Sequence, residues 1–100
     1  MMMLGEKIGA EQAEQWGLIH ACVEDGALMD EARALALRLA EGPTLALAEM
    51  KRTIGLALDG TLHEVLLAEA EGQRLAGTTA DAVEGAMAFL QKRKAAFKGA

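Results

Sequence analysis

Residues 78–98 read TTADAVEGAMAFLQKRKAAFK, and this stretch decides the fold of the chain. Two threonines at its start offer helix N-caps, and Thr78 with Asp81 resembles a capping box in which aspartate replaces glutamate. At about 100° per residue, such a helix gathers its apolar side chains on one stripe, which consists of Val83, Ala86, Met87, Leu90 and Phe97. The pattern predicts one amphipathic helix over 78–98, with a basic C-terminal end and an apolar stripe that needs a core.

Phe89 does not belong to that stripe. It lies about 100° or more from the centre of the stripe and one helical step from Lys92. An aromatic ring beside a lysine can stack on a flat ligand group while the ammonium meets an anion. The alternative is that Phe89 packs against another helix and Lys92 is solvated. Because Lys92, Arg93, Lys94 and Lys98 also suit a helix C-terminus electrostatically, the residues alone favour this alternative.

The composition favours closely packed helices. Apolar residues make up 52% of the 100 residues, only 3% are aromatic, and there is one proline. A core built from these residues would consist of leucine, alanine and methionine, which favour helices over strands. A chain of this length forms one domain at most, or part of a larger one.

The charge balance argues against general nucleic-acid binding. The net charge is −5 and the isoelectric point is near 4.9, whereas a nucleic-acid surface needs a basic face. The distribution is uneven, because no acidic residue follows Glu84 and four basic residues do. A local anion site can therefore form at the end of an otherwise acidic chain.

The cysteine count and the lengths of the apolar runs indicate the cellular compartment of the protein. Cys22 is the single cysteine, so no internal disulfide can form, which fits a reducing compartment. No run approaches the roughly 18 apolar residues that a membrane span needs. These features predict a cytoplasmic protein without a membrane partner.

Four further helices are predicted upstream of the opening stretch. They are expected at about 10–16, 27–41, 44–58 and 61–76. Gly17 closes the first, Thr44 caps the third, and Thr61 with Glu64 forms a capping box that is the clearest helix start in the chain. Residues 18–23 form a brief extended run and are the candidate for a short strand.

The residue types needed for catalysis or metal binding do not converge in this sequence. His63 and Glu64 begin like a zinc-protease motif, but Leu67 stands where the second histidine must be. One cysteine and two distant histidines make no zinc site, and the chain has no serine nucleophile. Cys22 follows His20 by two residues but lacks a third group to orient the histidine. The residues therefore predict no catalytic site, no metal site and no cofactor.

Two stretches resemble one protein family. Residues 4–19, LGEKIGAEQAEQWGLI, are similar to the segment G-x-x-I-x-A-x-x-A-x-x-x-G-L-V of enoyl-CoA hydratase/isomerase (crotonase) proteins. Residues 81–97 resemble the family ending D-x-x-E-G-x-x-A-F-L-x-K-R-x-x-x-F. Each motif alone is weak, whereas their order and spacing together are specific. The chain therefore looks like the C-terminal portion of a crotonase protein.

Further positions agree with this resemblance, and one departs from it. Pro43, Ala46 and Lys51 fit the family spacing P-x-x-A-x-x-x-x-K. Residues 73–77, QRLAG, are similar to the ring-epoxide isomerases of phenylacetate breakdown. The family often has a proline where this chain has alanines at 95–96, and its absence predicts that the last helix is longer.

The resemblance implies a mostly α fold. The chain would be the C-terminal helical oligomerisation region of the crotonase fold, with about five helices and at most one short extended segment. Residues 1–26 would be the tail of the spiral domain, and residues 27–100 the helical trimerisation and CoA-lid region. A homo-oligomer, either a trimer or a hexamer, is implied.

The resemblance also implies an acyl-CoA thioester as substrate and coenzyme A contacts in this chain. Positions that match Phe89 and Lys92 contact the nucleotide end of coenzyme A bound to a neighbouring subunit, which reverses the preference for a solvated pair. Lys51 matches a position near the CoA region in some members. Trp16 either borders the acyl pocket or packs its helix against the core, and the second alternative is favoured.

Two functional hypotheses follow. In the first, the chain is the C-terminal part of an acyl-CoA hydratase or isomerase, and the family's oxyanion hole and acidic groups lie in an earlier ββα spiral. No catalytic residue is then expected here. In the second, the chain is a free-standing, non-catalytic helical assembly module that kept the oligomer surface of the family.

Overall fold

The computed structural model describes residues 3–100, which form five α-helices and no β-strand. The elements are α1 Ala10–Gln15, a 3₁₀ turn Asp25–Ala27, α2 Leu28–Ala40, α3 Thr44–Ala57, α4 Leu62–Gly77 and α5 Ala80–Leu90. The predicted mostly α fold with about five helices is therefore confirmed. The run at 18–23 forms bends and irregular backbone, since the described chain offers no second strand to pair with it.

The chain divides after Arg33, within α2, into two units. This division lies further along the chain than the boundary drawn from the sequence after residue 26. The assignment of residues 1–26 to the tail of a spiral domain stays a prediction.

Helix α1, in the first unit, ends as its glycine predicts. Gly17 has a φ of 70°, in the left-handed region that glycine enters without a steric penalty. Its N–H donates to the carbonyl of Glu14 over 2.8 Å, and the N–H of Leu18 donates to the carbonyl of Ala13 over 2.8 Å. The two bonds form a Schellman motif, so the predicted end at Gly17 is confirmed.

The second unit contains the end of α2 followed by helices α3, α4 and α5. Helix α3 packs against α4, and α4 packs against α5. Gly72 of α4 is buried, and a Cβ atom placed on it would lie 3.4 Å from the Cβ of Glu49 on α3. Thr53 of α3 is also buried. A residue without a side chain at this point lets the two helices approach closely.

The starts of α3 and α4 differ in how they are capped. The capping box of α4 is confirmed, because Glu64 N–H donates to Thr61 Oγ1 and Thr61 N–H donates over 2.8 Å to Glu64 Oε2. The predicted cap of α3 by Thr44 is wrong. Pro43 occupies the N-cap position without a side-chain bond, and its carbonyl accepts the first helical hydrogen bond from Leu47 N–H over 3.0 Å.

The single helix predicted over 78–98 is wrong at both ends. Helix α5 begins at Ala80 because Thr79, and not Thr78, caps it by accepting a hydrogen bond from Ala82 N–H over 3.1 Å. It ends at Leu90, beyond which Lys92 has a φ of 53°. The longer helix expected from the missing proline therefore does not form.

The end of α5 is a second Schellman motif. Lys92 N–H donates to the carbonyl of Phe89 over 3.2 Å, and Arg93 N–H donates to the carbonyl of Ala88 over 3.0 Å. The lysine takes the position at which glycine is usual. The chain reverses here, and residues 93–100, the strap, run back along α5.

Asp81 holds the far end of the strap. The carboxylate accepts hydrogen bonds from Lys98 N–H over 2.7 Å and Gly99 N–H over 2.8 Å, and Asp81 N–H donates to the carbonyl of Ala100 over 2.9 Å. Asp81 is buried, with 4% of its surface exposed. The predicted capping role of Asp81 is therefore wrong, because its oxygens are used by the strap.

The strap also brings Phe97 and Gly99 against neighbouring helices. The Phe97 ring lies 3.5 Å from where a Cβ of Gly85 would be, so it packs on α5 from outside and not as a part of that helix. Gly99 has a φ of 73°, and a Cβ there would lie 2.6 Å from Thr44 Oγ1 at the start of α3. The strap thus connects α5 to the beginning of α3.

The apolar stripe of α5 is not buried within the described chain. Val83 is 64% exposed, Met87 44% and Leu90 73%, while Ala88 is the buried apolar residue in the second unit. The stripes of α3 show the same pattern at Ile54 and Leu58. The stripe predicted to face a core is therefore exposed in residues 3–100, and the buried side of α5 carries Asp81 and Ala88 instead.

Candidate functional site

The candidate ligand-contact pair lies at the C-terminal end of α5. Phe89 is on the last turn with 83% of its surface exposed, and Lys92 is exposed one residue beyond the C-cap. The hydrogen bond between their backbones holds the two residues together. The structure therefore places an exposed phenylalanine and an exposed lysine three residues apart, one on each side of the end of α5.

Arg93 is occupied by a carboxylate of the same chain. Its guanidinium donates to both oxygens of Glu84, over 2.5 Å from Nη1 and 2.8 Å from Nη2. The Nε atom donates over 2.7 Å to the side chain of Gln91. This fork geometry satisfies most of the donors of the guanidinium, which leaves it poorly suited to bind an external anion.

The ion pair shifts the acidity of both partners. Hydrogen bonds from Arg93, followed by the one from Ala96 N–H, lower the pKa of Glu84 from 4.5 to about 2. Hydrogen bonding to Glu84 likewise raises the pKa of Arg93. Lys92 makes no ion pair within 4.0 Å in residues 3–100. Of these two neighbouring cations, Lys92 is the one with its charge available.

Lys51 and Trp16 are placed apart from this pair along the chain. Lys51 is exposed on α3, which contacts α4, whereas the pair belongs to the end of α5. Trp16 is the C-cap of α1 in the first unit and is 60% exposed. The CoA-region role of Lys51 and the acyl-pocket role of Trp16 stay predictions.

A groove of about 410 Å³ opens between α3 and α4. Its lining is apolar with polar groups from both helices, and comprises Ala46, Glu49, Met50, Thr53, Ile54, Glu69, Gly72, Gln73 and Ala76. Glu49 is bonded to Arg52 over 2.8 Å, and Glu69 is exposed. The groove contains no residue of the candidate pair.

The described chain contains neither a cluster of metal ligands nor a membrane span. Across residues 3–100, histidine, cysteine, aspartate and glutamate side chains nowhere cluster in a group of three that could hold a metal ion. Over the same residues, each helix is too short or too polar to cross a bilayer.

The sequence reasoning missed the clasp formed by Asp81, Glu84 and Arg93. A signal for it exists, because Asp81 and Glu84 are spaced i, i+3 and so lie on one side of the helix. The basic residues after Leu90 then follow closely enough to fold back onto these carboxylates. A rule that scores helices by periodicity alone does not detect acceptors that compete for the chain beyond the helix.

Residues 1–100 match the family profile described as enoyl-CoA hydratase/isomerase. The chain is 44% identical over 99 residues to the 1,2-epoxyphenylacetyl-CoA isomerase of Escherichia coli K12, which covers 99% of this chain and 38% of that protein. It is 34% identical over 108 residues to the carnitinyl-CoA dehydratase of the same strain, covering 99% of this chain and 40% of that protein.

A solved structure of a family member has the same fold as this chain. The enoyl-CoA hydratase from Polaromonas sp. JS666 superposes with a TM-score of 0.88 at 30% identity, covering 96% of this chain and 37% of that chain. The chain thus spans about two fifths of the length of the relatives that it matches. The resemblance drawn from the motifs is confirmed: this chain belongs to the enoyl-CoA hydratase/isomerase family.

Proposed function

We propose that this chain is the C-terminal helical part of an acyl-CoA hydratase or isomerase. In this proposal it contacts the nucleotide end of coenzyme A bound to a neighbouring subunit, and it contributes contacts between subunits. The observation that carries the proposal is the exposed pair of Phe89 and Lys92 at the end of α5. The substrate is then a coenzyme A thioester, and no other cofactor is required.

The chemistry of the pair suits a nucleotide with phosphate groups. An exposed aromatic ring offers a stacking surface for a base, a contact that contributes about 1–3 kcal/mol per base in nucleic-acid complexes. The Lys92 ammonium can donate charge-assisted hydrogen bonds to a phosphate oxygen, each contributing about 1.5–3 kcal/mol. Phe89 alone would be an exposed apolar side chain, but beside Lys92 it forms half of a two-point contact.

The proposed reaction is thioester chemistry through a stabilised enolate. Paired backbone N–H donors stabilise such an enolate, and hydration or isomerisation follows. In the proposal those donors and the proton-transferring carboxylates belong to the family's spiral region, and this chain supplies no catalytic side chain. The 44% identity to a 1,2-epoxyphenylacetyl-CoA isomerase supports isomerisation in phenylacetate breakdown as the subtype. The proposed compartment is the cytoplasm, which suits the free thiol of Cys22.

The proposal includes a homo-oligomer, a trimer or a hexamer. The exposed stripe of Val83, Met87 and Leu90 supports it, because contiguous apolar surface marks contact sites. The same stripe also favours the alternative, a free-standing and non-catalytic assembly module derived from the family. The mass of the protein expressed from its complete gene separates the two. A subunit near 10.5 kDa supports the module, and a subunit as long as the relatives supports the enzyme.

The test of the coenzyme A contact is the change Lys92→Ala in the protein expressed from its complete gene. We expect the Kd for coenzyme A to rise by about 5–150-fold, which corresponds to about 1–3 kcal/mol for a lost charge-assisted contact. The matched control is Lys94→Ala, which removes an exposed lysine two residues away. Calorimetric titration measures both variants, and an unchanged Kd for Lys92→Ala would contradict the proposed role.

A further inference from the structure

Lys92 has a backbone conformation that lysine avoids. Its φ of 53° lies in the left-handed region, where the Cβ atom approaches the following carbonyl oxygen. A residue with a side chain keeps such a conformation only where the surrounding structure determines it. The two hydrogen bonds of the Schellman motif form around this conformation, and further contacts act on the chain just beyond it.

Glu84 provides those contacts. Its carboxylate accepts two hydrogen bonds from the Arg93 guanidinium and one from Ala96 N–H over 2.8 Å. Had the helix continued beyond Leu90, Arg93 would lie about 13 Å along the axis from Glu84, out of reach of these bonds. The carboxylate can bind both groups only if the chain reverses at Lys92.

We infer that Glu84 is a positioning residue for Lys92. By binding Arg93 and Ala96 it sets the reversal that presents the Lys92 ammonium beside Phe89 to the anionic part of coenzyme A. This inference rests on the proposed function of the pair. It also gives Arg93 a role, because a guanidinium held by Glu84 leaves the anion to Lys92.

The inference is tested with a double-mutant cycle in the protein expressed from its complete gene. The variants are Glu84→Gln, Lys92→Ala and their combination, and the probe is coenzyme A in a calorimetric titration. We expect Glu84→Gln to raise the Kd by about 5–10-fold in the wild-type background and by less than about 2-fold when Lys92 is already alanine. With a thioester substrate, KM should rise while kcat stays unchanged.

The Lys92→Ala single variant reports on the proposed function by itself, and the cycle reports on Glu84. Equal fold-changes in the two backgrounds would overturn the inference while leaving the coenzyme A contact in place. Tighter binding by Glu84→Gln would also overturn it, because Arg93 would then be serving the ligand. Arg93→Gln removes the other end of the same ion pair. It must show the same dependence on Lys92, which keeps the inference testable if Glu84→Gln does not fold.

Discussion

At the scale of a single residue, Lys92 combines a backbone cost with an available charge. The left-handed region costs a residue with a Cβ atom about 1–2 kcal/mol, and glycine avoids that cost at a helix C-terminus. The ammonium has no ion-pair partner within 4.0 Å in residues 3–100, whereas the neighbouring Arg93 does. A lysine at this position is therefore unfavourable for the helix end and favourable for meeting an anion.

The change Lys92→Gly separates these two effects. We expect the free energy of unfolding to rise by about 0.5–1 kcal/mol, since the steric cost disappears and part of the gain is lost to glycine's larger chain entropy. Coenzyme A affinity should fall at the same time, because the cation is gone. Urea denaturation and calorimetric titration measure the two quantities. The control Gln91→Gly, at a φ of −85°, should lower stability, and a loss of stability in Lys92→Gly would contradict the argument.

At the scale of one element, α5 and the strap are joined by carboxylates on one side of the helix. Asp81 accepts from two backbone N–H groups near the end of the strap, and Glu84 accepts from Arg93 and Ala96 near its beginning. Charge-assisted hydrogen bonds of this kind are stronger than neutral ones. The strap is consequently held to α5 at both of its ends by these two carboxylates.

The Glu84–Arg93 ion pair predicts a specific acid dependence. Because the pKa of Glu84 is lowered from 4.5 to about 2, its contribution to stability is fully present above about pH 4.5 and is lost as the pH falls toward 2. Over this range the Tm of the wild-type protein should fall more steeply than that of Glu84→Gln. Arg93→Gln should match the shallower slope of Glu84→Gln. Scanning calorimetry at several pH values measures the slopes, and parallel slopes for wild type and variants would count against the pair.

Among the helix ends, the start of α4 is fixed by local bonds and could be predicted from the sequence, whereas the end of α5 is fixed by more distant residues and could not. The capping box at Thr61 and Glu64 is a four-residue pattern whose bonds are local, and it was found correctly. The end of α5 was not found, because Lys92 is not the residue expected at a left-handed position. The bonds that decide it join Glu84 to Arg93, nine residues apart, and to Ala96, 12 residues apart. A pattern read through a window of one helix cannot weigh such distant partners.

At the scale of the whole molecule, the apolar stripes described for residues 3–100 exceed what these residues can cover. Helical periodicity predicted which side chains share a face, but the same pattern serves an internal core and a contact with another subunit. This explains why the stripe of Val83 and Met87 was expected to be buried and is exposed instead. The helical spacing predicted for Phe89 and Lys92 does not apply, because α5 ends at Leu90, and their joint role as a ligand contact stays a prediction.

The exposed stripe leads to a prediction about assembly. Val83→Asp in the protein expressed from its complete gene should shift the proposed trimer or hexamer toward smaller species. Each interface would lose the burial of one valine, about 1.5–3 kcal/mol, and would gain a charge. His63→Asp, an exposed change at the start of α4, is the control and should leave the assembly intact. Sedimentation velocity decides, and an unchanged distribution for Val83→Asp would exclude this stripe from the interface.

The contact between Gly99 and Thr44 restricts how this region can vary. The left-handed φ of 73° and the 2.6 Å approach to the threonine hydroxyl leave room at that point for a hydrogen atom only. Even an alanine there would push the strap away from the first turn of α3. Relatives whose strap contacts α3 in the same way should have glycine at this position. The solvent-facing residues between Arg93 and Phe97 are free to vary in sequence.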